Sequence, residues 1–115
     1  MSSSCIFCRI VAGEIPARMV HQDDHAVAFH DVAPQAPIHV LVVPRRHLSH
    51  LIEATTADPA IAGHLLAVGV KVARELGLSE PGFRLVFNTL GDGGQTVPHL
   101  HLHLLGGRAL GWPPG

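Results

Sequence analysis

The sequence predicts an α+β fold in which an antiparallel five-stranded sheet packs against one long helix. Three observations support this prediction. Short segments rich in apolar residues are bounded by glycine, proline and aspartate, as strands commonly are. One longer segment repeats its apolar residues at helical spacing, and the connections between segments are short. The last short segment alternates histidine and leucine between Pro98 and Gly106, as a strand with two different faces does.

The predicted elements follow one another without a repeat or a linker. A pair of strands surrounds a turn at Asp23 and Asp24, and a proline ends the strand after it. Asp58 is a good cap for the long helix, Pro59 fits its first position, and Gly77 follows its end. The order is a short helix at residues 6–11, strands at 19–21, 26–30 and 38–43, the long helix at 59–76, a strand at 83–88, and the histidine strand at 99–105.

The alternation of histidine and leucine separates two kinds of side chain. Successive side chains of a strand point to opposite sides, so His99, His101 and His103 share one face and the leucines between them share the other. On a helix the three imidazoles would not meet. We therefore expect the leucines in the core and the imidazoles in a site.

The composition argues against several classes of protein. A length of 115 residues fits a single domain, residues 1–115. A net charge of -1 and a charged fraction of 15% provide no basic surface for a nucleic acid polymer, although a mononucleotide is compatible with them. No apolar run approaches the roughly 18 residues of a membrane span, because His64 and Lys71 interrupt the best one. We expect no membrane partner and a cytoplasmic location.

The imidazole face has three interpretations: solvated or packed histidines, a metal site, and a nucleophile with helper groups. Three imidazoles along a straight strand span about 13 Å, so at most two would share one metal ion. A nucleophile suits His101, which has a histidine on either side. In the loop before it, Gly91, Gly93 and Gly94 would let backbone amides approach an anion, with a tight hairpin turn as the alternative.

Cys5 and Cys8 form a CxxC pair near the N-terminus. Half of a zinc site, a redox pair and incidental thiols are all compatible with this spacing. A redox pair would be expected at the junction between a strand and a helix, and the first eight residues do not provide such a junction. A tetrahedral zinc site would need two further ligands.

Several segments, in order, resemble the histidine triad family. Residues 99–105 match its pattern His-φ-His-φ-His-φ-φ, where φ is apolar. CIFCRIVAGEIPA, FHDVAPQAPIHVLVVPRRH, DGGQTVPHLHLHLLGGR and GWPPG extend the resemblance over almost the whole chain, toward the histidine triad nucleotide-binding branch that hydrolyses purine nucleoside phosphoramidates. The resemblance implies a covalent nucleotidyl-histidine intermediate. The alternatives are a dinucleoside polyphosphate hydrolase of the same family and a nucleotide-binding protein without catalysis.

The resemblance also implies roles for individual residues. His101 would be the nucleophile, and His103 would hydrogen-bond the phosphate. His39 would support them, and Thr96, where the branch often has serine, would have a role in protonating the leaving amine. The nucleotide, a purine mononucleotide such as AMP or GMP, would contact apolar base walls, a ribose carboxylate and phosphate donors: Phe7, Ile10, Ile15, Phe29, Asp31, Val32, Asn88, Gly94, Gln95, Thr96, His101 and His103. No metal would be required for either chemical step.

Members of the family that keep both cysteines bind zinc with them and with two histidines. The resemblance therefore implies a structural zinc site made of Cys5, Cys8, His47 and His99. Such a site would tie the N-terminal turn to the histidine strand. An exposed Trp112 close to the C-terminus would be an apolar patch unless it packs on something, and the resemblance implies that it packs on a partner subunit, in a homodimer with the sheet extended across its two-fold axis.

Overall fold

Five strands form one antiparallel sheet in the computed structural model, which describes residues 4–115. The strands are β1 (Met19–Gln22), β2 (Ala26–His30), β3 (Ile38–Pro44), β4 (Arg84–Phe87) and β5 (Leu102–Gly106), and the helices are α1 (Ile6–Val11), α2 (Leu51–Ala57) and α3 (Pro59–Glu75). The sheet order is β1-β2-β3-β5-β4, so β3 and β5 are paired inside the sheet. The predicted fold class is confirmed. Within residues 4–115, no helix is long and apolar enough to cross a bilayer.

The two faces of the sheet bury different apolar clusters. One face packs against α3 and includes Leu100, Leu102 and Leu104, as the alternation predicts. The opposite face packs against α1 and buries a smaller cluster: Phe7, Ile10, Val27, Phe29, Leu41 and Val43. Burial of each large apolar side chain stabilises the fold by about 2 kcal/mol. The imidazole of His101 contacts Phe7 and therefore lies on the second face, which α1 covers with only six residues.

The histidine segment is less regular than predicted. β5 begins only after His101, so the first two histidines precede the strand. The backbone N–H of Leu100 donates to the carbonyl of Leu48 at 2.6 Å, outside the sheet. The ring Nε2 of His99 donates to the carbonyl of Pro44 at 3.0 Å. At the end of β3, therefore, a side chain and not a neighbouring strand supplies the hydrogen bond that this backbone carbonyl needs. The expected separation of leucines from imidazoles is nevertheless preserved.

The long helix is preceded by a second helix, α2, that the sequence analysis did not predict. Its N-cap is His50, whose Nδ1 accepts the backbone N–H of Glu53 at 3.2 Å. Histidine is not among the residues preferred at this position, so the start of α2 lacks the usual signal. Pro59 begins α3 as predicted, whereas the side chain of Asp58 makes no capping hydrogen bond.

Asp23 connects the β1–β2 hairpin to α3. Its Oδ1 accepts the backbone N–H groups of His25 and Ala26, at 2.7 and 2.9 Å. Its Oδ2 accepts from Nε2 of His21 at 2.7 Å and from Nε2 of His64 at 2.8 Å. Burial alone would raise the pKa of Asp23, but these hydrogen bonds outweigh burial and lower the pKa below its usual value.

We expect Asp23→Asn to lower the free energy of unfolding by about 2 kcal/mol at pH 7, because a neutral amide accepts these bonds more weakly than a carboxylate. The folded-state pKa is lowered, so the carboxylate stabilises the fold above its ordinary pKa of 3.8 and loses this effect as the pH falls below it. Urea unfolding at pH 7 and pH 3 should therefore show a smaller deficit at pH 3. Asp24→Asn, at the exposed neighbouring position, is the control, and an equal loss in both variants would contradict the prediction.

Candidate active site

His101 is buried, and its neighbours determine which ring nitrogen carries the proton. Its side chain is only 5% exposed. Nδ1 lies 2.7 Å from the carbonyl oxygen of His99, so Nδ1 holds the proton and donates it. The ring also meets Phe7 edge-to-face, with centroids 5.1 Å apart. In the neutral ring, Nε2 is left with a free lone pair, the state in which an imidazole can attack an electrophile.

A separate chain of hydrogen bonds determines the protonation of His103. The backbone N–H of Gln35 donates to Nδ1 of His39 at 3.0 Å, so His39 holds its proton on Nε2. That nitrogen is 2.8 Å from Nδ1 of His103 and 3.5 Å from Oδ2 of Asp31. Because Nδ1 of His103 accepts from His39, His103 keeps its own proton on Nε2. His103 therefore offers a donor beside the lone pair of His101, with ring centroids 4.9 Å apart.

Burial keeps the imidazoles of His39 and His103 neutral. It lowers the pKa of His103 to about 4, with repulsion from His101 and His39 in the same direction and Asp31 opposing it. Burial also lowers the pKa of His39, against the opposing charge of Asp31 and with added repulsion from His101. At neutral pH each ring therefore has one N–H and one lone pair, and the hydrogen bonds decide which nitrogen has which.

A second cluster brings together four side chains from three places in the sequence. Cys5, Cys8, His47 and His99 each offer one donor atom within 4.8 Å of the others. Sγ of Cys5 is 3.3 Å from Nδ1 of His99, Sγ of Cys8 is 3.1 Å from Nδ1 of His47, and the two ring nitrogens are 3.2 Å apart. Metal-ligand distances of about 2.0 to 2.3 Å correspond to tetrahedral edges of about 3.3 to 3.8 Å. The four donor atoms are thus near the spacing that one metal ion requires.

His99 has the outer hydrogen bond that a metal-binding imidazole usually has. Its Nε2–H donates to Pro44, so Nδ1 is the deprotonated nitrogen near the two thiols. Burial lowers the pKa of His99 to about 4, with Pro44 opposing and other histidines adding to the shift. At neutral pH, therefore, no proton competes with a metal ion for Nδ1. The Cys and His cluster fits a metal ion.

The group of Asp31, His39 and His103 also brings three donor atoms within 4.8 Å of one another. Its hydrogen bonds are of the wrong kind for a metal site. Nδ1 of His39 already accepts the backbone N–H of Gln35. A metal ion on Nε2 would displace the only proton of that ring, whereas metal-binding histidines normally donate from the other nitrogen. This group is arranged to hold a proton.

The loop between β4 and β5 is held by the side chain of Gln95. Its Oε1 accepts the backbone N–H of Leu90 at 3.0 Å. Its Nε2 donates to the carbonyls of Ser49 and Val97, at 2.7 and 3.0 Å. Gln95, predicted as a phosphate ligand, has its amide engaged in the loop in this structure.

Other predicted phosphate ligands surround the same loop. Nδ2 of Asn88 donates to the carbonyl of Gly93 at 2.7 Å. Gly94 has a φ of 76°, a left-handed conformation that glycine adopts without strain. Thr96 is exposed beside it. The loop thus exposes Gly94 and the Thr96 side chain while Asn88 holds its shape.

We expect Gly93→Ala to distort this loop and to lower the free energy of unfolding by about 1 to 3 kcal/mol. A Cβ at this position would overlap the backbone oxygen of Thr89 and lie 2.7 Å from its nitrogen, and backbone atoms cannot move aside as a flexible side chain can. Gly91→Ala is the matched control, because no atom of residues 4–115 lies within 4 Å of a Cβ there. Chemical unfolding of both variants measures the difference. Equal stability of the two alanine variants would contradict the steric argument.

The predicted base walls divide into a buried set and one exposed residue. Three are buried in the cluster around α1 and a fourth packs against it: Phe7, Ile10, Phe29 and Ile15. Val32 is separate, with a side chain that is 98% exposed. With Asp31 it lines a cavity of about 580 Å³, and His39 and His103 line another of about 300 Å³. The structure therefore does not bring Val32 together with the other four walls.

The sequence analysis missed the contribution of Gln35 to the site. The donor to His39 is a backbone N–H, which every residue except proline has, so the residue type leaves no signal. A weak signal exists in the segment PQAP at residues 34–37, where only Gln35 and Ala36 have a backbone N–H to give.

The fold and the site together define a class of protein: an α+β domain in which hydrogen bonds orient the imidazoles of His39, His101 and His103 beside a Cys and His cluster. The HIT domain family model matches residues 12–110. The chain is 54% identical to an uncharacterized HIT-like protein of Synechococcus elongatus over 115 residues, which is 100% of both chains. The chain belongs to the HIT family.

Crystal structures of other members share the fold. A HIT family hydrolase from Legionella pneumophila Philadelphia 1 is 47% identical, with a TM-score of 0.93 over 97% of this chain and 100% of that one. A histidine triad protein from Clostridium difficile is 45% identical, with a TM-score of 0.90 over 96% of this chain and 97% of that one.

Proposed function

We propose that the protein is a nucleotide hydrolase that cleaves the P–N bond of purine nucleoside phosphoramidates. The observation that carries the proposal is a pair of hydrogen bonds that favour opposite protonation of two adjacent imidazoles. The bond between Nδ1 of His101 and the carbonyl of His99 leaves a lone pair on Nε2 of His101, and the bond between His39 and Nδ1 of His103 leaves a proton on Nε2 of His103. A nucleophile beside a donor is what covalent transfer of a nucleotidyl group needs. Membership of the HIT family, and the name of the hydrolase from Legionella, support this reaction class.

The first chemical step forms a bond between His101 and the nucleotide. Nε2 of His101 attacks the α-phosphorus, and the P–N bond to the amine breaks. The ring of His101 becomes positively charged, and the carbonyl of His99, 2.7 Å from Nδ1, stabilises that charge. Nε2–H of His103 donates to a phosphate oxygen. The amine leaves with its electron pair and takes a proton, which Thr96 relays from solvent.

The second step returns the enzyme to its starting state. A water molecule attacks the phosphorus, the bond to Nε2 of His101 breaks, and the ring leaves as a neutral imidazole. The proton of the water passes to solvent, and the nucleoside monophosphate is released. His39 keeps its Nε2–H directed at His103 during both steps, so that His103 remains a donor.

The nucleotide would lie on the α1 side of the sheet. The apolar cluster around Phe7 and Phe29 suits a purine base, and both residues are buried there. Asp31 suits the ribose: its Oδ1 accepts the backbone N–H of Ala33 at 2.8 Å, which holds the carboxylate in place, and further lone pairs remain for hydroxyl groups. Val32 lines the same cavity as Asp31, so it would lie near the ribose and not against the base.

The Cys and His cluster would bind zinc. Two thiolates and two imidazoles at tetrahedral spacing are a typical structural zinc set. When bound, zinc supplies a rigid link between the start of α1 and the segment before β5. Within the chain, Cys5 and Cys8 orient α1, and His99 orients the carbonyl that contacts His101.

The proposal also includes the assembly and location of the protein, which would be a homodimer in the cytoplasm. β4 lies at an edge of the sheet, where a second copy can pair with it. Trp112 is 83% exposed in the single chain, and Arg84 in β4 donates to the carbonyl of Gly111 next to it at 2.7 Å. A second copy on this edge would cover the tryptophan. Light scattering after size-exclusion chromatography measures the mass, and a monomer at micromolar concentration would contradict this part.

Incubation with adenosine 5′-phosphoramidate tests the main proposal. We expect release of AMP and ammonia, detected by ³¹P NMR and by an ammonia assay, and we expect it for the guanosine compound as well. Diadenosine triphosphate is assayed as the alternative substrate. If it is cleaved faster than the phosphoramidates, the protein is a dinucleoside polyphosphate hydrolase and the proposed activity is wrong. Binding of AMP in calorimetry without turnover of any of the three compounds would indicate a nucleotide-binding protein.

A further inference from the structure

The loop that contains Gln35 has few bonds of its own. Between β2 and β3 it has no regular secondary structure, and Gln35 is exposed. Inside the loop, Ala33 donates to Asp31, and the side chain of Gln35 donates to the carbonyl of Ala33 at 3.2 Å. The donor that orders His39 thus belongs to an irregular segment, which is tied to β3 at its start by the backbone N–H of Asp31 donating to the carbonyl of His39 at 2.9 Å.

Arg108 holds this loop from the other side. Its Nη2 donates to the carbonyl of Gln35 at 2.9 Å, and its Nη1 donates to the carbonyl of Ala109 at 3.1 Å. Gln35 is therefore bonded at both of its backbone groups, through N–H to His39 and through C=O to Arg108. The second bond joins residues that are 73 positions apart.

Two glycines bring Arg108 to this position. Gly106 pairs with Ile38 at the end of β5. Gly107 has a φ of 91°, and a Cβ there would lie 2.9 Å from Cβ of Pro37. Only glycine combines this backbone conformation with so close an approach. The turn therefore packs against the end of the loop, which places the guanidinium of Arg108 over Gln35.

We propose that Arg108 is a positioning residue for the active site. By holding the carbonyl of Gln35, it keeps the backbone N–H of Gln35 on Nδ1 of His39, and so keeps His103 as a donor. The guanidinium of Arg108 donates to the backbone carbonyls of Gln35 and Ala109, so it would act on the imidazoles through Gln35. The catalytic part of this inference rests on the proposed function, whereas the effect on His39 does not.

The physical basis is the choice between two neutral forms of His39. Either ring nitrogen of a neutral imidazole can hold the proton, and the hydrogen bond at the other nitrogen selects the form. When Gln35 is displaced, Nδ1 loses its donor and can take the proton. Nε2 of His39 would then accept instead of donate, and Nδ1 of His103 would have to supply the proton between them. The proton on Nε2 of His103, which the phosphate needs, would then be lost.

The test compares Arg108→Ala with Arg108→Lys and with Arg74→Ala in the full chain. Lysine can still donate to one carbonyl, so it should restore part of the effect. Arg74 is exposed in the last turn of α3 and controls for the loss of one positive charge. Imidazole ¹⁵N NMR reports the protonated nitrogen of His39, and amide hydrogen exchange reports the N–H of Gln35. Neither measurement needs a substrate, so their results do not depend on whether the phosphoramidase proposal is correct.

In Arg108→Ala we expect amide exchange of Gln35 to be about tenfold faster and His39 to show a mixture of both neutral forms. If phosphoramidates are substrates, kcat should fall about fivefold to tenfold while KM stays within about twofold, because the nucleotide contacts are retained. Unchanged Gln35 exchange and a single form of His39 would overturn the inference. It would also be overturned if Arg74→Ala gave the same changes, or if phosphoramidates were substrates and His39 changed its form without a fall in kcat.

Discussion

His101→Ala should lower the rate of phosphoramidate hydrolysis by about 10⁴-fold, because the chain then has no nucleophile at the phosphorus. Nδ1–H of His101 is committed to the carbonyl of His99, so Nε2 is the atom that would form the bond. The wild-type protein, quenched in acid-free denaturant during turnover, should show a mass increase of one nucleotidyl group. The variant should show none. Steady-state assays and intact-protein mass spectrometry measure the two effects.

The ring of His101 is buried, so its removal leaves a hole beside Phe7. His101→Gln fills most of that space and should be as inactive as the alanine variant. Both variants should still bind AMP within about tenfold of the wild-type affinity, which separates loss of chemistry from loss of the site. His25→Ala, at an exposed position, is the control for removal of a histidine. Turnover by His101→Gln at a tenth of the wild-type rate or more would place the nucleophile elsewhere.

The division of the sheet into two faces could be predicted from the sequence because it depends only on backbone geometry. A strand places alternate residues on opposite sides, so the leucines between the histidines had to share a face. The structure places Leu100 and Leu102 in the main core although Leu100 precedes β5. Extended backbone alternates even where it does not pair with a neighbour.

The protonation of the imidazoles could not be predicted, because backbone atoms determine it. The proton on Nδ1 of His101 depends on a carbonyl, and the proton on Nε2 of His39 depends on the amide of Gln35. Neither partner is encoded by the type of its residue. For the same reason the late start of β5 was missed: the carbonyl of Leu48 takes the N–H of Leu100 that a longer strand would have used.

The four-residue cluster was an intermediate case. CxxC spacing predicts two donors on one turn of chain, and the structure places Cys5 at the cap of α1 and Cys8 inside it. Spacing alone did not identify His47 or His99, which come from distant segments, and only the resemblance to the family named them. The structure brings all four together.

Cys8→Ser should lower bound zinc from about one ion per chain to a small fraction of that value, and lower the melting temperature by roughly 5 to 15 °C. Sγ of Cys8 lies 3.1 Å from Nδ1 of His47 and 3.5 Å from Nδ1 of His99, so it is central to the cluster. A serine hydroxyl is a poor ligand for zinc, whereas it is close to a thiol in size. Atomic emission spectrometry and calorimetric melting measure the two quantities on protein purified without chelator.

A chelator distinguishes the loss of metal from the loss of packing. If zinc is the link, the wild-type protein in chelator should melt near the temperature of the untreated Cys8→Ser variant, and chelator should change the variant little further. A melting-temperature difference that persists in chelator would mean that the thiol stabilises the fold without metal. The rate of hydrolysis should fall much less in the metal-free wild type than in His101→Ala. Zinc would affect the reaction only indirectly, because it binds His99, whose carbonyl orients His101. Complete loss of turnover in a protein that remains folded would instead assign the ion a direct part in the chemistry.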